Sequence, residues 1–154
     1  MKIMMVCLGN ICRSPMAQGI LESKIKAQSL SAVVDSAGTA AYHVGEPPDK
    51  RAISQTARKK IDISSYRGRH FQQSDFDEFD LIFAMDEQNY SDILALSRGA
   101  QDEKKVEMIL NRVFPGQNMS VPDPYYGGEE GFENVFDLLD HACDKITEQL
   151  IYER

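Results

Sequence analysis

A strand, a tight loop and a helix start follow one another at the beginning of the chain, and this join constrains everything after it. Ile3-Met4-Met5-Val6 is a short apolar run that reads as a buried strand. It leads directly into Cys7-Leu8-Gly9-Asn10-Ile11-Cys12-Arg13-Ser14. Pro15 then opens a helix, with Ser14 expected as its N-cap. Such a join makes a cradle for an anion, because successive backbone N–H groups point inward and the helix dipole favours negative charge. A cysteine at the strand end and an arginine at the helix start then face the same bound group.

The balance of charge sharpens this reading. The 154 residues carry 17 Lys and Arg against 24 Asp and Glu, a net charge of -7. A protein this acidic lacks the basic face that nucleic acids require, and it is a poor partner for anionic lipid. An anion must therefore be bound by a local positive field, and the first loop is where one is available. The length suits one domain with a substantial core. Only Lys2 precedes the first apolar run, which is too short for a signal sequence or a membrane span. The three cysteines suggest neither a secreted disulfide framework nor a zinc site. The expectation is a cytoplasmic protein.

Strand-like and helix-like stretches alternate along the chain. Strands are expected over 2–7, 32–36, 80–85 and 106–110. Helices are expected over 15–28, 50–61, 87–96 and 131–150, with Asp49 capping the second. The first helix has a one-sided stripe of Ala17, Ile20, Leu21 and Ile25; the last buries Phe132, Val135, Phe136, Leu139, Ala142, Cys143, Ile146 and Leu150. Alternation implies a single three-layer α/β domain, a four-stranded parallel sheet with helices on both faces. Ligands of such sheets bind outside the carboxyl ends of the strands. There the loops 7–14, 38–48, the one beginning at Asp86, and the long loop 115–131 converge.

A C-x5-R spacing by itself occurs often by chance; between a strand and a proline-started helix it becomes specific. A solitary cysteine is ordinarily a small buried residue. Cys7, however, lies at a helix N-terminus beside Arg13, surroundings that lower thiol pKa values to about 3.5–7.5 in known cases. A thiolate there is suited to attack phosphorus, with Arg13 and the loop amides holding the equatorial oxygens. Ser14 can donate to the thiolate as well as cap. In Val121-Pro122-Asp123-Pro124-Tyr125-Tyr126 two prolines restrict Asp123, and the tyrosines suit the wall of a slot for a flat aromatic group. On spacing alone, Asp123 reads as a turn residue.

The loop Cys7–Pro15 together with Asp123-Pro124-Tyr125-Tyr126 resembles the low-molecular-weight protein tyrosine phosphatases. Asp35-Ser36-Ala37, Pro47-Pro48-Asp49 and Met85-Asp86-Glu87 with Asn89 resemble that family in the same order, over nearly the whole chain. The resemblance implies hydrolysis of protein phosphotyrosine and small aryl phosphates, releasing inorganic phosphate. It implies Cys7 as nucleophile, Arg13 as phosphate binder and Asp123 as general acid and base. Leu8, Gly9, Asn10, Ile11, Cys12 and Ser14 would complete the phosphate loop, with Asn10 and Ser14 bracing it. Tyr42, Tyr125 and Tyr126 would line the slot, and no cofactor or metal would be needed. Cys12 would be a redox partner able to close a disulfide with Cys7. Exposed tyrosines at the slot are compatible with a monomer or a weak homodimer.

Two other classes share parts of this pattern. Arsenate reductases of this fold need two further cysteines on a mobile segment, and only Cys143 remains. A non-catalytic phosphotyrosine-binding module would lack the nucleophile or the acid. One departure concerns the loop's support: Tyr66 stands where mammalian relatives carry a histidine, leaving open what holds Asn10. Gln18 replaces a commonly acidic residue, with little consequence expected. His43 is expected as a solvated loop residue, with the slot mouth as the alternative, and His70 and His141 have no evident partner. Asp75, Asp77, Glu78 and Asp80 read as a solvated acidic face.

Overall fold

The central strand β1 (Lys2–Cys7) is buried from Ile3 onward because its side chains serve two cores at once. Ile3, Met5 and Cys7 point into the larger core, while Met4 and Val6 point into the smaller. That alternation is the period of two that a strand imposes. The computed structural model describes residues 1–154. β1 pairs in parallel with β2 (Val33–Gly38) on one side and β3 (Leu81–Ala84) on the other; β4 (Val106–Met108) completes the order β2-β1-β3-β4. The expected four-stranded parallel sheet is therefore present.

The larger core is built from α1 (Arg13–Ala27) and α6 (Glu129–Glu153), with α2 (Lys50–Ala57) packed beside them. On the other face lie α3 (Asp75–Glu78) and α4 (Glu87–Leu94), contributing Phe76 and Ile93. A short α5 (Ala100–Glu103) precedes β4. No helix is long and apolar enough to cross a membrane.

Several expectations are corrected. Ser14 does not cap α1: the helix begins at Arg13, Cys12 is the N-cap residue, and no side chain caps it. The Ser14 hydroxyl is turned inward by Cys7 and Asn10 instead. The first helix is not one-sided; every residue from Arg13 to Leu21 is buried, because this end is wedged among the sheet, α2 and α6. The fourth strand stops at Met108 and passes into a 3-10 turn over Ile109–Arg112. The second helix stops at Ala57, followed by a tight turn with Lys60 at φ 63°. Asp75 is not solvated but buried, accepting from both Nη atoms of Arg69. Asp49 caps α2 as expected, its carboxylate accepting from Arg51 N at 2.8 Å.

The strand order reverses direction between β1 and β3, so the loops leaving them diverge and open a crevice. Cys7 stands at the carboxyl end of β1, opposite Gly38 of β2. A Cβ on Gly38 would come within 2.7 Å of the Leu8 carbonyl oxygen, so only glycine lets the two chains approach here.

Candidate active site

The loop from Cys7 to Arg13 is folded by turning its carbonyls outward. Cys7 O accepts from Thr39 N, Leu8 O from Ala40 N, Ile11 O from Asp49 N, and Cys12 O from Met16 N. The N–H groups from Leu8 to Cys12 donate to no acceptor in the protein. They are free to converge on one bound anion at the start of α1. Asn10 makes the sharpest turn, at φ 58°, in the left-handed region that few non-glycine residues adopt.

Asn10 is held there by its side chain. Nδ2 donates to Ser14 Oγ at 2.8 Å and to Ser36 Oγ at 3.0 Å, while Oδ1 accepts from Arg69 N at 3.0 Å. Tyr66 does not touch it. Ser36 donates onward to Gln18 Oε1 at 2.7 Å, and Gln18 Nε2 donates to Glu22 at 2.8 Å. Tyr66 donates to the same Glu22 carboxylate at 2.6 Å. Gln18, from which little was expected, is thus buried at the centre of the loop's support.

Cys7 Sγ lies 3.1 Å from Ser14 Oγ and is 3% exposed. Ser14 Oγ already accepts from Asn10, so its own proton is available to the sulfur or to the Ala37 carbonyl at 3.5 Å. Arg13 is almost fully buried. Its Nη1 donates to Asp86 Oδ2 at 2.7 Å and to the Val121 carbonyl at 2.9 Å, and its Nη2 lies 3.7 Å from Asp123 Oδ2. Asp86 also caps α4, its Oδ1 accepting from Asn89 N in a capping box. Its role was missed in the sequence; the signal was an Asp-x-x-Asn pattern directly after a strand.

A slot of about 210 Å³ leads down to these groups. Cys7, Leu8, Gly9, Ile11, Cys12 and Arg13 of the loop line it, together with Tyr42. Asp123, Tyr125 and Tyr126 line it too, the two rings meeting edge to face at 5.0 Å. Asp123 is partly exposed and accepts from Tyr125 N at 3.1 Å. His43 also lines the slot, paired with Glu46, so it is more than a solvated loop residue. His70 has a structural contact, with the Thr39 carbonyl at 3.0 Å from Nε2.

The thiols are not alike. Burial, reinforced by the neighbouring charges of Asp49, Cys7 and Asp123, pushes the Cys12 thiol far up. Burial does the same to Cys143, which sits in the core between α1 and α6 as expected.

A parallel α/β sheet carrying a C-x5-R loop at its carboxyl edge, with a guanidinium and free amides over a buried thiol, defines a class of cysteine-dependent phosphate-handling proteins. Comparison with known proteins gives the family. The chain matches, over residues 2–154, the family described as low molecular weight phosphotyrosine protein phosphatase, and it belongs to that family. A Synechocystis protein carrying the family's name is 47% identical over 152 residues, covering 97% of this chain and 96% of its own. The human low molecular weight phosphotyrosine protein phosphatase is 36% identical over 149 residues, covering 96% of this chain and 94% of its own. Among solved structures, a protein tyrosine phosphatase from Entamoeba histolytica superposes with a TM-score of 0.92 at 38% identity, over 99% of this chain and 98% of that one.

Proposed function

We propose that this protein hydrolyses phosphotyrosine in proteins, and small aryl phosphates, through a cysteinyl-phosphate. The observation that carries the reading is Cys7 lining a slot that three tyrosines share, with free loop amides and the tethered Arg13 at the same place. Tyr42, Tyr125 and Tyr126 offer a phosphorylated aromatic ring surface to pack on, which a phosphoserine side chain lacks the ring to use.

In the first step the Cys7 sulfur attacks phosphorus and the bond to the phenolic oxygen breaks. The loop amides from Leu8 to Cys12 and the Arg13 guanidinium hold the three equatorial oxygens as charge shifts. Asp123 gives its proton to the departing phenolate. In the second step Asp123, now ionised, takes a proton from water. The resulting nucleophile attacks phosphorus, the thiolate leaves, and inorganic phosphate is released. Ser14 donates to the sulfur when it carries charge, in the free enzyme and again as it departs. The positive field comes from Arg13 and the amides, so the reading requires no metal or cofactor.

Cys12 is the redox partner in this reading. Peroxide oxidises Cys7 to the sulfenic acid, which removes the Cys7 charge that helps hold the Cys12 proton; Cys12 then attacks that sulfur, its proton leaves with the hydroxyl as water, and a Cys7–Cys12 disulfide closes. Mass spectrometry after mild peroxide is expected to find the disulfide; sulfonic acid on Cys7 without it counts against this role. The enzyme is taken to be cytoplasmic and to work as a monomer or weak homodimer, which size-exclusion chromatography over a concentration series tests.

The deciding experiment is p-nitrophenyl phosphate turnover in excess chelator. Wild type is expected to be active, Cys7→Ser inactive, and Asp123→Ala slowed least with this activated leaving group. A Cys7→Ser variant as active as wild type removes the proposal.

A further inference from the structure

Asp123 lies on a stretch from Val121 to Gly128 that has neither helix nor strand of its own. Something must hold this stretch in place if a proton is to be delivered at hydrogen-bond range. Its first end is fixed: Val121 N donates to Met85 O at 2.7 Å, and Val121 O accepts from Arg13. Its second end runs into α6 at Glu129, and between Asp123 and that helix one side chain from another element bonds its carbonyls. Arg51 Nη2 donates to Tyr125 O at 2.9 Å, and Nη1 donates to Gly127 O at 3.1 Å.

Arg51 can hold the loop because it is itself fixed on three sides. Its Nε and Nη2 bind the two oxygens of Asp49, each at 3.0 Å, in a fork that a planar guanidinium matches. Its carbon centre sits over the Phe132 ring at 4.7 Å and the Tyr125 ring at 5.5 Å. The Asp49 backbone N–H donates to Ile11 O at 2.8 Å, inside the phosphate loop. A continuous connection therefore runs from Ile11 through Asp49 and Arg51 to the carbonyls two and four residues beyond Asp123.

We propose that Arg51 is the positioning residue of the acid loop: it sets the distance between the phosphate-binding loop and Asp123. This rests on the reading of Asp123 as the proton donor. Arg51 does not line the slot. It acts by limiting where the Asp123 carboxyl travels, and displacement of a catalytic group by about 1 Å is enough to cost on the order of 100-fold. Lysine does not substitute, because an ammonium cannot grip Asp49 with two parallel bonds while reaching two carbonyls.

The test is a series of aryl phosphates with leaving phenols of graded acidity, run on wild type, Arg51→Met, Arg51→Lys, Asp123→Ala and the double variant Arg51→Met/Asp123→Ala. General acid assistance matters most for poor leaving groups. Both Arg51 variants are expected to lose about tenfold on phenyl phosphate and no more than about threefold on p-nitrophenyl phosphate. The double variant should be no slower than Asp123→Ala. Hydrogen exchange should quicken in residues 122–128 of Arg51→Met, with the alkylation rate of Cys7 unchanged. Equal loss across the series, additive loss in the double variant, or unchanged exchange in 122–128 each overturns the proposal. If Asp123→Ala itself shows no dependence on the leaving group, the acid assignment falls and this proposal falls with it. A steep Asp123→Ala profile with a flat Arg51→Met profile removes only the role of Arg51.

Discussion

The Tyr66 hydroxyl donates to the Glu22 carboxylate across 2.6 Å, and a line of hydrogen bonds carries that contact to the Cys7 sulfur. Burial, with the adjacent Glu22 charge, pushes the Tyr66 phenol far up, so it stays a donor at any ordinary pH. Gln18 Nε2 donates to the other carboxylate oxygen, which turns Gln18 Oε1 toward Ser36. Ser36 gives its proton to Gln18 and accepts from Asn10, and Asn10 donates also to Ser14. The direction of each bond up to Ser14 follows from the one before, leaving the Ser14 proton for Cys7 or for the more distant Ala37 carbonyl, 3.5 Å away.

Replacing Gln18 by Leu breaks this line at its buried middle. Ser36 loses its acceptor and Glu22 one donor, a loss of about 1–3 kcal/mol. Tyr66→Phe removes only a bond at the half-buried end and is expected to cost about 1 kcal/mol. Urea unfolding measures both, and Cys7 alkylation by iodoacetamide at one fixed pH should change in rate in Gln18→Leu. A Gln18→Leu protein as stable as wild type, with an unchanged alkylation rate, removes the relay as a support of the loop.

Asp86 has two tasks that separate by substitution. One oxygen caps α4 and the other binds Arg13, whose side chain is 3% exposed. Asp86→Asn keeps a good cap but withdraws the charge facing Arg13. Asp86→Ala loses the cap, about 1 kcal/mol, and leaves a buried guanidinium without its carboxylate, about 3 kcal/mol more. Thermal unfolding should rank wild type, Asn and Ala in that order. The KM for p-nitrophenyl phosphate should rise in both, since Arg13 is then free to turn from the slot. Asn and Ala variants of equal stability would show that the cap contributes nothing.

The raised thiols of Cys12 and Cys143 imply selectivity without any difference in reagent. A thiol whose pKa is raised stays protonated at pH 7.5 and is a poor nucleophile. Iodoacetamide at pH 7.5 is therefore expected to modify Cys7 in the native protein while Cys12 and Cys143 react only after unfolding, as peptide mass spectrometry reads directly. Native-state labelling of Cys12 at the rate of Cys7 contradicts this.

Local signals made the phosphate loop and the sheet legible: an apolar run into Cys7, Pro15 after Arg13, and alternation along the chain. The terms that failed are those that depend on distant partners. Ser14 is a good N-cap by type, but Cys7 and Asn10 claim its hydroxyl. Asp75 belongs to an acidic run, yet Arg69 draws it into the interior. Nothing in the neighbourhood of Gln18 or Arg51 in sequence indicates that Gln18 binds a residue 18 positions away and Arg51 one 74 positions away. Asp123 was legible by resemblance, since its approach to Arg13 is created by the return of the chain after β4.

Asp49 links stability to acidity in a way that can be isolated. Burial opposes its charge, but the Arg51 guanidinium and the N–H groups of Arg51 and Ala52 outweigh burial and hold its carboxyl below the ordinary value of 3.8. A carboxyl depressed in the folded state contributes stability that is fully present above its unfolded value and is lost as pH falls through the folded one. Asn at this position still caps α2 but cannot carry the charge. Asp49→Asn is thus expected to be about 1 kcal/mol less stable than wild type at pH 7. The gap should close below pH 3.8, as wild-type Asp49 takes up its proton. Asp77 and Asp102, held low by hydrogen bonds from Arg98, titrate alike in both proteins and cancel from the difference. Urea midpoints at pH 7, 5 and 3 measure the gap; one that stays constant across that range would falsify the contribution of Asp49 charge to stability.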